Sequence, residues 1–205
     1  MSQQSQKAGL DVEIAEEDRL RSDLYAMIGR LLAEPPSQAL IDTAAALSGD
    51  ESELGQGINA LARVAASSNA RAVEKEYNAL FIGLGRGELL PYASYYLTGF
   101  LNEKPLARLR GHMAQLGIET NPDVKEPEDH IATLSEIMSG LIRGTYGGGM
   151  SVDDQHAFFN THIATWAGHF FTDLEGAEGS LFYAPIGKIG RAFMEIEIEA
   201  FRMDS

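Results

Sequence analysis

The sequence contains no cysteine. That absence excludes disulfides, Cys-ligated zinc, iron–sulfur clusters and thiol catalysis together. Positive charge is scarce as well: 16 Lys and Arg stand against 30 Asp and Glu, a formal net charge of −14. Nucleic acid and anionic membrane surfaces both require clustered positive charge, so neither is an expected partner. The acidic excess suits a cationic partner, or simply the surface of an acidic cytosolic protein. No stretch approaches the roughly 20 apolar residues that a membrane helix needs, and Met1–Asp11 holds no apolar run of the signal-peptide kind. The expectation is a soluble, cytoplasmic protein with no stable membrane insertion. Against these absences stands an apolar content of 44% over 205 residues, ample for the core of one good-sized domain.

The apolar positions recur at helical spacing almost throughout. Leu20, Leu24, Met27, Ile28, Leu31 and Leu32 make one face, stopped by Pro35-Pro36. Ser37 can cap a second helix carrying Leu40, Ile41, Ala44 and Leu47, which Gly49-Asp50 breaks. Leu54, Ile58, Leu61 and Ala65 mark a third, and Asn69 can cap a fourth with Val73, Tyr77, Leu80 and Phe81. Pro105 opens another helix that Gly117 stops. Glu126-Pro127-Glu128-Asp129-His130 reads as the acidic mouth of a helix that continues through Ile131, Leu134, Ile137 and Leu141 to Gly144. Ser151 can cap one further helix running to about residue 174, and a last one carries Phe182 to Phe201. No strand pattern and no repeat are present. The fold class expected is all-α, a single irregular helical bundle over residues 14–205, after a Ser- and Gln-rich disordered tail at 1–13. Gly147-Gly148-Gly149 is a candidate hinge.

Four clusters carry possible chemistry. In Glu126–His130, a carboxylate beside a histidine suits either helix capping and loop anchoring or acid–base work, but no nucleophile or second base accompanies it. His156, His162 and His169 lie on one expected helix, where His162 and His169 share a face among aromatics; packing explains them better than a metal. Gly83-Leu84-Gly85-Arg86-Gly87 follows a helix and lacks the Walker lysine, so it reads as a connector rather than a phosphate cradle. Tyr92, Tyr95 and Tyr96 suit a core edge or a groove for a peptide with an apolar segment and positive charges.

Taken in order, these segments resemble the TorD-like family of redox-enzyme maturation chaperones, with its DmsD and NarJ branches, over most of the chain. Tyr77-Asn78-Ala79-Leu80-Phe81-Ile82-Gly83 is similar to the family's Tyr-x-x-Leu-Phe-x-Gly, and Pro91-Tyr92-Ala93-Ser94-Tyr95-Tyr96 to its Pro-Tyr-x-Ser-x-Tyr. Glu126-Pro127-Glu128-Asp129-His130 matches its most diagnostic segment, Glu-Pro-x-Asp-His. His162-Ile163-Ala164-Thr165-Trp166 is similar to a later His-x-x-Pro-Trp, with Thr165 at the usual proline. The resemblance implies a non-enzymatic, cytoplasmic chaperone with no cofactor of its own. It would bind the twin-arginine leader, the apo form, or both, of a molybdoenzyme precursor, and delay export until the cofactor is inserted. It implies leader contacts at Glu126, Pro127, Asp129 and His130, and at Pro91, Tyr92, Ser94 and Tyr96. It also implies a possible homodimer, including a domain-swapped one. The alternative from another class is a metal- or nucleotide-dependent hydrolase using Asp129 and His130. The client enzyme is not named by the sequence.

Overall fold

In a computed structural model of the chain, residues 15–83, 87–119, 126–146 and 151–203 are described. The expected tail at 1–13, most of the Gly83–Gly87 connector and the expected hinge at Gly147–Gly149 lie wholly or largely outside them. Ten α-helices and no strand occur among the described residues: α1 (Glu16–Ala33), α2 (Gln38–Ala45), α3 (Glu53–Ala65), α4 (Ala70–Tyr77), α5 (Ala93–Thr98), α6 (Lys104–Gln115), α7 (Ile131–Arg143), α8 (Val152–His162), α9 (Ala167–Gly176) and α10 (Tyr183–Met203). A π-helical turn, Asn78–Ile82, extends α4 and ends at Gly83, whose φ of 62° only glycine adopts freely.

The expected caps form. Ser37, Asn69 and Ser151 accept from the backbone N–H groups of Leu40, Ala72 and Asp154, and Ser151 does so within a full capping box. Helix α7 is the axis of the bundle: from Ile131 to Ile142 all but Thr133 and Glu136 are buried, as befits a helix apolar on nearly every side. Its chief partner is α1, while α10 packs on α9 and α3. Two glycines let α10 approach α9 closely. A Cβ at Gly190 would lie 2.2 Å from the Phe171 ring, and one at Gly187 would lie 2.4 Å from the Glu175 backbone nitrogen.

Two polar devices fix the packing. On α10, Glu197 is fully buried and receives Arg21 Nε at 2.8 Å, Arg21 Nη2 at 2.9 Å and the Tyr25 hydroxyl at 3.0 Å, tying α10 to α1. On α4, Glu76 accepts from the backbone N–H groups of Leu181, Phe182 and Tyr183, so another helix supplies the missing cap of α10. The Tyr77/Phe81 motif is core in this frame. Tyr77 packs on Phe81 and Tyr183, and its hydroxyl donates to the Ala33 carbonyl at 3.1 Å.

Two expectations are corrected. The helix read as opening at Glu126 starts instead at Ile131, with His130 as its N-cap; Glu126–Asp129 form a turn before it, so their acids are not in its first turn. The helix read as running from 151 to about 174 is broken over residues 163–166. There the Ala164 N–H reaches five residues back to the Phe159 carbonyl, and the Trp166 indole N–H bonds the His162 carbonyl at 2.7 Å. His162 and His169 therefore lie on different helices.

Candidate functional site

Both tyrosine-rich and acidic segments meet at the N-terminal end of α7. The Ala93 N–H donates to the Asp129 carbonyl at 3.0 Å, and the Ile131 N–H to the Pro91 carbonyl at 2.8 Å. This is an isolated antiparallel bridge that pairs Tyr92 with His130. Its consequence is that the start of α5 and the start of α7 are fixed against each other. Helix α5 has no side-chain cap of its own, since Tyr92 occupies that position. Asp129 supplies one: its Oδ2 accepts from the Ser94 N–H at 2.7 Å, where a carboxylate also meets the positive end of the helix dipole.

His130 caps α7, its Nδ1 accepting from the Ala132 N–H at 3.1 Å. That bond places the proton of the neutral ring on Nε2. Burial pushes the imidazole down to about 4. Tyr92 stands edge-on to His130, ring centroids 5.0 Å apart, and its hydroxyl bonds the exposed Glu126 carboxylate. Burial and that carboxylate together raise the phenol above its ordinary value. Glu128 is held by Arg110 of α6, whose Nη2 and Nε both reach Oε2, at 2.7 and 2.9 Å. Tyr96 packs against Trp166 and Phe170, and its hydroxyl donates to Asp173 at 2.8 Å.

The eight residues expected to form a leader site are thus together, but not on one level. Glu126 is exposed, and Pro127, Tyr92 and Tyr96 are partly so; Pro91, Ser94, Asp129 and His130 lie beneath them, Asp129 at 1% exposure. Asp129 and His130 use their acceptors on different helices and form no hydrogen bond with each other. They do not compose the general acid–base pair that a hydrolase would need. Among the described residues no group of three His, Asp or Glu is placed to hold a metal ion. No helix among them is long and apolar enough to cross a membrane.

One atom of this seam is left over. Asp129 Oδ1 is buried with no hydrogen-bond partner, as is Ser94 Oγ. Asp129 lines a narrow slot with Leu97, Pro105, Arg108, Thr161 and His162, of about 10 Å³, room for about one water. Outside the slot, Leu97, Phe100 and Leu101 are 44%, 69% and 41% exposed, an apolar patch at the end of α5. Sequence reading did not find this patch, since nothing in Leu97-Thr98-Gly99-Phe100-Leu101 says that its apolar residues face outward. It also missed Arg110 and Asp173, whose roles come from contacts 18 and 77 residues away.

Comparisons with known proteins agree with this arrangement. The family model described as nitrate reductase delta subunit matches residues 48–172, more than half of the chain and inclusive of both motif segments. The chaperone protein TorD of Vibrio atlanticus is 28% identical over 151 residues, covering 69% of this chain and 70% of the relative. The chaperone protein TorD of Aliivibrio fischeri is 27% identical over 161 residues, covering 72% and 74%. A crystal structure from Archaeoglobus fulgidus, described as that of a redox enzyme maturation protein, superposes with a TM-score of 0.56 at 23% identity. It covers 86% of this chain and 94% of that one, and shows that the helical fold is shared. The chain belongs to the nitrate reductase delta subunit family, the TorD/NarJ-like group that its motifs resemble.

Proposed function

We propose that the protein is a non-enzymatic maturation chaperone for a molybdoenzyme precursor. It binds the precursor's twin-arginine leader at the α5–α7 seam and so delays export until the cofactor is in place. The observation that carries this reading is the open Oδ1 of Asp129 beside the exposed Leu97/Phe100/Leu101 patch. A twin-arginine leader is an arginine pair followed by an apolar run. A guanidinium supplies the donors that a buried carboxylate oxygen lacks, and the patch covers the apolar run.

The slot as it stands is too small for a guanidinium, so binding displaces the exposed Leu97 or Arg108 side chain from its mouth. Glu126, with Tyr92 on one of its oxygens, is placed for the second arginine, and Pro127, Tyr92 and Tyr96 form the rim. Pro91, Ser94 and His130 act from beneath, by holding that rim in register. Relatives named as chaperones and the shared maturation-protein fold support the reading.

The test uses the leader of a molybdoenzyme subunit encoded beside this gene, titrated calorimetrically into the protein. Binding is expected, with loss on replacing the arginine pair by alanines and a weakening of about tenfold in Phe100→Ser, roughly 1.4 kcal/mol. Absence of binding to that leader, together with capture of the same precursor lacking its leader, would move the recognition to the apoenzyme and overturn the seam as the leader site.

A further inference from the structure

We infer that the cleft between α6 and α8, lined by Arg108, Gly111, His112, Gln115, Thr161 and His162, binds the phosphate group of a small phosphorylated ligand. The inference does not rest on the leader reading. Arg108, His112 and Gln115 follow each other at spacings of four and three, so α6 presents them on one face. Thr161 and His162, from the last turn of α8, face them.

Three features point to an anion. First, no carboxylate lines this cleft, although the chain has 30 acids to 16 Lys and Arg. The other arginine of α6, Arg110, is taken up by Glu128, whereas Arg108 forms no ion pair with any described residue. Second, the Arg108 guanidinium, the Gln115 amide and the Thr161 hydroxyl make no hydrogen bond to any described residue, yet all border the same space. Three uncommitted donor groups around one concavity suit a tetrahedral oxyanion, which accepts from several directions at once.

Third, the two imidazoles are chained. His112 Nδ1 and His162 Nε2 lie 2.9 Å apart. Burial, then His112 and Arg108, push His162 down to about 4, so it is the neutral acceptor and His112 donates from Nδ1. The remaining His112 nitrogen, Nε2, becomes a donor only when that ring is protonated, which a bound anion favours. The charged groups facing His112 are Arg108 on its own helix and Asp154 on α8. Asp154 is itself held in the Ser151 capping box. The cleft encloses about 280 Å³, close to the lower end of small-molecule sites. That size favours a phosphate ester or diphosphate of a small molecule over a phosphorylated chain.

The full-length protein is titrated with pyrophosphate, inorganic phosphate and a phosphoserine peptide while the histidine ring resonances are followed by NMR. Expected is a saturable shift of His112 and His162, with His156 and His169 unmoved, strongest for pyrophosphate and lost by about tenfold in affinity in Arg108→Ala. Arg110→Ala leaves it in place. Calorimetry in two buffers of different ionisation enthalpy then shows proton uptake on binding, absent in His112→Gln. Leader binding is measured on the same samples, so failure here and failure of the leader site are read separately. The proposal is overturned by no saturable shift up to roughly 10 mM, by equal shifts of all histidines, by a shift unchanged in Arg108→Ala, or by preference for the phosphopeptide.

Discussion

Glu197 and Asp129 are both carboxylates buried almost to zero exposure, yet they sit on opposite terms. Glu197 has both oxygens met by Arg21, and one of them by Tyr25 as well. Asp129 has one oxygen on the Ser94 N–H and one on nothing. A buried charge with every lone pair answered ties helices together and offers a ligand nothing. One answered on a single side is stable enough to persist, because it caps a helix, and still lacks a donor. The difference separates a structural ion from a binding site without appeal to where either lies in the sequence. The same contrast divides the motif itself: His130, Glu128 and half of Asp129 build the fold, and the remainder faces a partner.

The comparison is tested first at its larger end. Glu197→Ala leaves Arg21 and Tyr25 buried without their acceptor and should cost about 3–5 kcal/mol in denaturant unfolding, with leader affinity unchanged in whatever remains folded. Asp129→Ala should cost less stability, about 1 kcal/mol for a lost cap, but abolish most leader binding; urea melts and calorimetry on one sample separate the two. A pH series comes next. His130 and His162 are held near 4 in the fold against about 6.5 when unfolded. The unfolded chain therefore binds more protons between those values. Stability is full above about pH 6.5 and falls as pH drops, by up to about 1.4 kcal/mol per pH unit for each ring. His130→Asn, which keeps an N-cap acceptor, should flatten part of that slope. The smallest stability effect belongs to the patch: Phe100→Ser should leave the melt within about 0.5 kcal/mol while weakening the leader.

Helices were legible because their signals are local. Ser37, Asn69 and Ser151 cap where their side chains imply, and Gly117 and Gly144 stop helices with φ of 68° and 67°. The start of α7 was misread because Pro127 and its flanking acids are good opening residues. What sets the start is the pairing of Tyr92 with His130, a contact across 38 positions. The break at residues 163–166 is silent for another reason. Apolar residues keep their stripe through it, and Thr165 stands where the family's proline would have marked it. The bridged segments were identified by resemblance, but their layering was not: burial of Asp129 beneath Glu126 and Tyr92 follows from the α5–α7 seam, which no spacing encodes. The His112–His162 pair was invisible for the same reason, 50 residues separating its members.

The central claim is that the open oxygen of Asp129 is the leader's anchor, and Asp129→Asn tests it most directly. Asparagine keeps an oxygen for the Ser94 N–H and turns the open position into an NH₂ group, which repels a guanidinium in place of accepting from it. Calorimetric titration with the twin-arginine leader should show at least about a tenfold loss of affinity, with thermal unfolding unchanged to within about 0.5 kcal/mol. Leader affinity equal to that of the unaltered protein, at the same stability, would contradict the account.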